Sequence, residues 1–448
     1  MDLNHARLPI PPHPQVQELL YPLKGRLSTL FFIFLKYLFC AAGAGLFSRR
    51  GLCYNSKKRK GLSGMVYRTL GRSGLRVSEV GLGAEHLEGL SPEQVFAVVD
   101  RALAQGINII DVFMSEPQVR SNIGMAIRGR RDKVVLQGHI GAAWINGQYA
   151  RTRDAAQCRL FFEDFRTRLG VDTVDIGMLH YIDDQEDFDR VFGGEIIRYA
   201  LELRGKGVIR ALGMSSHNPV IARQAVETGL LDVLLFSINP AYDLMPEDAA
   251  LDKLFAAESY RSDALHGVEP SRALLYQTCE ARGVGITVMK PLAAGALLSA
   301  DTSPFGTALT PAQCIHYALT RPAVGSVLVG CRTPAEVDAA VSYESCTAGE
   351  RDYSAVLGAA PLFSMEGRCM YCNHCLPCPA HIDIAAVGKY LDMALLHGGK
   401  APQTAAAHYD ALKAHAGDCL ECRSCEGNCP FRVPVVERMH RAREIFGK

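Results

Sequence analysis

Residues Ile107 to Ile140 read INIIDVFMSEPQVRSNIGMAIRGRRDKVVLQGHI. A run of β-branched and apolar residues, Ile107 to Phe113, leads into a stretch with helical spacing and then into a second such run, Lys133 to Ile140. Runs that are apolar throughout, rather than alternating, belong to strands buried on both faces, so strand, helix and strand in succession predict a parallel crossover unit. The same grammar recurs on both sides. Further strands are expected at Ser78 to Gly83, Thr173 to Ile182, Ile209 to Ser215, Val233 to Asn239, Gly285 to Pro291 and Ser326 to Cys331. Helix starts between them carry a capping residue followed by proline: Ser91 with Pro92 and Gln94, Thr310 with Pro311, and Thr333 with Pro334. Eight such units predict an α/β fold of the (β/α)8 TIM barrel type, which typically takes roughly 250 residues. No G-x-G-x-x-G follows a strand, and GLGAEH at Gly81 lacks the third glycine, which argues against a Rossmann sheet.

The chain has 448 residues, more than one domain needs. Hydrophobic residues make up 48% and charged residues 21%, the balance of a globular protein rather than a disordered or fibrous one. Lys and Arg number 48 against 47 Asp and Glu, so the net charge of +1 carries no electrostatic footprint for nucleic acid. Ahead of the barrel, Leu27 to Phe47 is an apolar run interrupted by Lys36 and followed by Arg49, Arg50, Lys57, Lys58, Arg59 and Lys60. Two readings stand for residues 1–64. Either that run anchors the chain with everything after it on the cytoplasmic face, or Met65 is the working start and the protein is cytoplasmic.

Eight of the 15 cysteines lie between Cys369 and Cys429, in CMYCNHCLPCP and CLECRSCEGNCP. In a long enzyme-like chain such steps point to metal binding in a reducing compartment, not to a disulfide scaffold. The second run has the C-x2-C-x2-C-x3-C-P spacing that holds [4Fe-4S] clusters, in which the proline-followed cysteine reaches across to the neighbouring cluster. The first run is one residue shorter in its last gap. One cluster is therefore expected on Cys369, Cys372, Cys375 and Cys429, and the other on Cys419, Cys422, Cys425 and Cys378. Paired zinc sites are the alternative. Between the runs, IAAVGKYLDMALL and TAAAHYDALKAHA have helical periodicity, so residues 346–448 resemble a small helical ferredoxin-like domain.

Barrel chemistry sits at the C-terminal ends of the strands, where Asp111, His139 and His180 end three consecutive ones. The motifs GINIIDVF, VVLQGHIG, VDIGMLH, ALGMSSHNP, GVGITVMKPLAAG and SVLVGCRTPAEVDAAV, spread over the barrel at 65–345, resemble the aldo-keto reductase family, in its subgroup with a C-terminal 4Fe-4S domain. The resemblance implies carbonyl reduction with NADP(H) by an aspartate, a proton-donating tyrosine, a lysine and a histidine. Asp111 and His180 match two of these. His139 stands at the lysine's place, and no tyrosine occurs between Tyr67 and Tyr149. With the loop after Asp111 shortened, Ser115 is expected to cap the next helix, and His139 is the candidate acid. Tyr181, next to His180, is expected to face away from the mouth. Two histidines and a carboxylate are also the ligand set of a non-haem metal triad.

For the cofactor, the resemblance points to Ser215, Ser216 and His217 around the nicotinamide, and to Lys290, Gly330, Arg332 and Glu336 around the phosphates and adenosine. The helix near Thr333 is expected to offer its first N–H groups to an anion. Two function classes follow. The first is an oxidoreductase whose NADP-linked chemistry is coupled to two [4Fe-4S] clusters and a redox protein partner, acting on a small molecule the sequence does not identify. The second is a degenerate barrel serving as an iron–sulfur electron-transfer or binding protein. Hydride carries two electrons and each cluster one, so a flavin stays open as the splitting agent, although no flavin fingerprint is present.

Overall fold

A computed structural model describes residues 64–244, 268–358, 367, 369, 371–372, 375–396, 398–429 and 431–448. The apolar run at 27–47 and most of the loop between Pro240 and Arg272 lie outside the described residues. Eight strands close into a barrel: β1 (Val80–Gly83), β2 (Ile109–Val112), β3 (Val135–Ile140), β4 (Val174–Leu179), β5 (Ile209–Ser216), β6 (Val233–Ser237), β7 (Gly285–Met289) and β8 (Val324–Gly330). Every pairing is parallel and each strand neighbours the next in sequence, with β8 returning to β1 at Val327 and Val80. Each predicted strand is present; six are trimmed at one or both ends, whereas β5 runs one residue further, to Ser216, and β8 begins two residues earlier, at Val324.

Nearly every strand residue is buried, because helices cover the outside while side chains fill the inside. The predicted caps do their work at the barrel helices. Ser91 and Gln94 form a reciprocal capping box at α1 (Pro92–Ala104), as do Thr310 and Gln313 at Pro311–Leu319. Each such cap supplies about 1 kcal/mol. The lower end is closed by an antiparallel hairpin, Tyr67–Thr69 with Arg76–Ser78, whose Leu70, Leu75 and Val77 join Ile109, Val135, Ile176 and Leu235 in an interior cluster. With that end plugged, only the mouth at the strand C-termini is left for chemistry.

After the barrel the chain is helical: Ile384–Leu396 packs against Val435–Phe446, and Gln403–Asp410 packs against the barrel helix Pro270–Arg282. One carboxylate pins this contact. Glu280 accepts from His408 Nδ1 (3.1 Å) and from the Ala323 N–H (2.6 Å), with Lys389 Nζ at 3.9 Å. Burial raises its pKa, but Lys389 and these hydrogen bonds outweigh burial and hold it down at about 2. Among the described residues no helix is long and apolar enough to cross a membrane.

Candidate functional site

Asp111 near the end of β2, His139 on β3 and His180 just past β4 converge at the mouth, as their register demands. They form a chain of contacts. Asp111 Oδ1 lies 2.9 Å from His139 Nε2, His139 Nδ1 lies 2.8 Å from His180 Nδ1, and His180 Nε2 lies 2.6 Å from the hydroxyl of Tyr149. Asp111 Oδ1 also accepts from Gln137 Nε2 (2.6 Å), whose carbonyl oxygen takes Thr287 Oγ1 from across the barrel (3.2 Å). All three predicted residues are buried. Burial first, then the nearby His139, Arg153, Arg151 and His217, push the pKa of His180 well below 6.5, so its imidazole is neutral. Burial likewise raises the Tyr149 phenol to about 12.

Tyr149 is the residue that sequence reasoning missed. It stands on a hairpin between β3 and the next helix, Ala142–Ile145 paired with Gln148–Arg151, where it faces Trp144. A signal for it was present. Asn146 (φ 53°) and Gly147 (φ 76°) are the two central residues of a type I′ turn, the pair that most strongly marks a two-residue hairpin. Gly141 turns the chain from β3 into this hairpin at φ 101°, and a Cβ there meets Thr152 O at 3.2 Å and Arg153 Nη1 at 3.1 Å. Gly141→Ala is therefore expected to lose about 1–3 kcal/mol of stability in chemical denaturation; a loss below ~0.5 kcal/mol would show the hairpin absorbs the change.

Several expectations need correction. Ser115 does not cap the helix Pro117–Ile127: Glu116 does, accepting from the N–H groups of Gln118 and Val119, while Ser115 Oγ donates to Ala143 O and ties the hairpin down. Tyr181 does not face away, because β4 ends at Leu179 and strand alternation stops there. Its ring lies edge-on to both His180 and His217. The triad of Asp111, His139 and His180 does not assemble as metal ligands, since both nitrogens of each imidazole are engaged within the chain. Among the described residues, no group of three or more His, Cys, Asp or Glu could hold a single metal ion.

Around the mouth, Ser215, Ser216, His217 and Lys290 come together, joined by Asp183, which the sequence reading did not single out. Asp183 accepts from the His217 N–H (2.6 Å), His217 Nδ1 (2.9 Å) and Ser216 Oγ (2.9 Å), leaving His217 Nε2 to accept from Lys290 Nζ at 2.9 Å. Ser215 Oγ accepts from the Tyr181 N–H. Lys290 has φ 56°, with its carbonyl taken by Asn239. Burial lowers its pKa against the opposing pull of Glu85 and Asp183. Gly330 ends β8 against the His86 ring. Arg332 and Glu336 sit at the start of the helix Pro334–Val341, but its amides are not all open: Thr333 Oγ1 accepts from the Glu336 N–H, and Glu336 Oε2 accepts from the Arg332 N–H at 2.6 Å.

In the helical region the eight clustered cysteines ring two pockets of similar size. The first, of about 440 Å³, is lined by Cys369, Cys372, Cys375 and Cys429; the second, of about 390 Å³, by Cys378, Cys419, Cys422 and Cys425, with Cys375 on the wall between. Ile384, Val435 and Met439 border both. The loops that carry the cysteines include left-handed backbone at Tyr371, Glu421 and Arg423.

A model of the Aldo/keto reductase family matches residues 79–308, more than half of the chain. The chain belongs to the aldo/keto reductase family. Two curated relatives come from Bacillus subtilis (strain 168): the uncharacterized oxidoreductase YqkF, 29% identical over 188 residues, and the aldo-keto reductase YhdN, 26% identical over 193. The matches take in 41% of this chain in both cases, and 59% and 56% of the relatives, so the chain spans somewhat over half the length of each. Among solved structures, the holo form of aldo-keto reductase AKR11C1 from Bacillus halodurans shares the fold, with a TM-score of 0.53 and 22% identity over 66% of this chain and 97% of that one. The family match ends before the cysteine-rich region, whose chemistry rests on its own residues.

Proposed function

We propose that this member of the family is an oxidoreductase that interconverts a carbonyl and an alcohol with NADP(H) at the barrel mouth, and that residues 346–448 form a ferredoxin-like domain carrying two [4Fe-4S] clusters. The observation that carries this reading is the crossed lining of the two pockets. The first pocket gathers three cysteines of one run and the last cysteine of the other; the second gathers three of the other run with Cys378 and shares Cys375 with the first, in keeping with the crossed arrangement that the C-x2-C-x2-C-x3-C-P spacing implies. Structural zinc sites take their thiolates as C-x2–4-C pairs, whereas each run here strings three cysteines together in C-x2-C steps. Clusters pass electrons singly, so on this reading a redox partner docks near the helical domain, and a flavin or radical-forming substrate mediates with the barrel.

At the mouth, a bound nicotinamide supplies or accepts hydride. The chain's own residues do the rest: Ser215, Ser216 and His217 orient the ring's amide, Lys290 offers a cation for a phosphate, and Tyr149 holds the proton. With a tyrosine hydroxyl in place, the ground for reading the barrel as degenerate falls away. Glu336 occupies the Arg332 N–H, so a phosphate contact from Arg332 comes from its guanidinium. NADPH titration is expected to quench Trp144, the one tryptophan, which sits on the hairpin opposite Tyr149. Lys290→Ala should weaken that binding by about 10- to 100-fold, the size of a charge-assisted contact. An absence of quenching in the wild type, confirmed by calorimetry, removes the nucleotide from the proposal.

A further inference from the structure

Asp111 fixes the direction of every hydrogen bond in the mouth. A carboxylate only accepts, so His139 must donate from Nε2, which leaves its Nδ1 as an acceptor. His180 then donates from Nδ1 and accepts at Nε2, and the hydroxyl of Tyr149 donates to it. Gln137 secures the start of the chain, because Thr287 holds its carbonyl and turns its amide toward Asp111. At the other end, Tyr149 is 44% exposed on the hairpin, and while its O–H donates to His180 its lone pairs can accept from a substrate hydroxyl. The polarity is therefore continuous, from the open mouth to a buried carboxylate.

From this we infer that Tyr149, His180 and His139 form a proton relay in which Tyr149 touches the substrate, His180 shuttles, and His139 stores the proton as an imidazolium against Asp111. The inference rests on the oxidoreductase reading above. In alcohol oxidation the substrate O–H bond breaks and its proton bonds to Tyr149 Oη as the phenol's own proton moves to His180 Nε2. The Nδ1 proton of His180 moves to His139 Nδ1. The carbinol C–H bond breaks with its electron pair, and oxidised nicotinamide is the hydride acceptor. Carbonyl reduction reverses each transfer and starts from the loaded imidazolium. His139 thus serves as the acid through two carriers: an imidazole takes up a proton on one ring nitrogen while its other nitrogen stays bonded to Asp111, so it stores the proton without losing that contact. Asp111 is a positioning residue here, and Gln137 steadies it.

The charged and titratable groups around the relay are Asp111 on β2, Arg151 and Arg153 at the hairpin's exit, Tyr181 just past β4, His217 beyond β5 and Glu85 past β1. Of the two imidazoles, His139 is the one with a carboxylate in contact, Asp111, so the relay ends there and not on His180. The test uses the full-length, anaerobically purified holoprotein labelled with ¹⁵N-histidine. Expected spectra place a proton on His139 Nε2 and on His180 Nδ1, with a coupling across the Nδ1–H···Nδ1 bond, and on acidification the first added proton appears on His139. A proton on His139 Nδ1 at rest, or first uptake by His180, overturns the relay, and neither readout needs a substrate. A second arm follows reduction of an aromatic α-diketone by NADPH. Tyr149→Phe should lower turnover about 10²- to 10⁴-fold with NADPH affinity unchanged, and His139→Gln should flatten a curved solvent-deuterium proton inventory. Unaltered turnover in Tyr149→Phe overturns the relay. A wild type that binds no NADPH overturns the oxidoreductase reading while leaving the spectra to decide the hydrogen-bond direction.

Discussion

Cys378→Ala combined with Cys419→Ala is expected to keep about half of the iron, whereas Cys378→Ala combined with Cys369→Ala is expected to lose nearly all of it. The first pair borders one pocket only, and the second removes a thiol from each. Were the runs to bind in sequence order instead, Cys378 would share a cluster with Cys369, and the two outcomes would exchange. Starting from about eight irons per chain, the difference is about four irons against almost none, readable by colorimetric iron assay and by the absorption near ~400 nm. Because metal sites of this kind supply folding free energy outright, the helices Ile384–Leu396 and Val435–Phe446 should lose thermal stability with the cluster between them. Burial already raises the thiols of Cys369 and Cys375, to about 11 and about 12, so without a cation neither charges near neutrality. Zinc in stoichiometric amount with no iron would sink the cluster assignment.

What the sequence made legible follows from what its physics repeats. Eight buried parallel strands each need an apolar run and a capped crossover helix, so the barrel was written eight times over, and its mouth was placed by the residues that end the strands. The cysteine spacing was legible because thiols must reach a cluster through short loops. Less legible was whatever depended on a departure from the barrel's regular rhythm. The hairpin Ala142–Arg151 inserts two strands that join no sheet of the barrel, and only the Asn146–Gly147 turn announces it. Tyr149 therefore looked too late in the chain to serve the site, although the turn folds it back onto His180. Tyr181 was misplaced for a related reason, since a rule for strands was applied two residues past the end of one. At the last barrel helix, Glu336 accepts from the Arg332 N–H just ahead of the cap at Thr333, a side-chain-to-backbone contact that no residue pattern announces.

Asp187→Ala should be the most destabilising single change near the site. The hairpin that presents Tyr149 leaves the mouth through Arg151 and Arg153, and both guanidiniums meet the Asp187 carboxylate: Arg153 through Nε (2.6 Å) and Nη2 (2.6 Å), Arg151 through Nη1 (3.1 Å). Arg153 and Asp187 side chains are only 5% and 7% exposed. Removing the carboxylate strands a buried cation, a situation that costs about 3–5 kcal/mol, and because Arg153 keeps its bonds to the carbonyls of His180 and Tyr181 we expect the lower end, about 3. For a barrel of about 280 residues that is a fall in Tm of about 5 °C. Two comparisons tie the effect to its cause. Arg153→Ala with Asp187→Ala together should be milder than Asp187→Ala alone, since no charge is left unpaired. Tyr149→Phe should lower Tm less than Asp187→Ala while sharing the loss of turnover, because it leaves the buried His180 Nε2 without its donor but does not release the hairpin. If Asp187→Ala melts within 2 °C of the wild type, the guanidinium clamp does not hold the hairpin, and the placement of Tyr149 must be secured by Ser115 and the aromatic contacts with Phe113 instead.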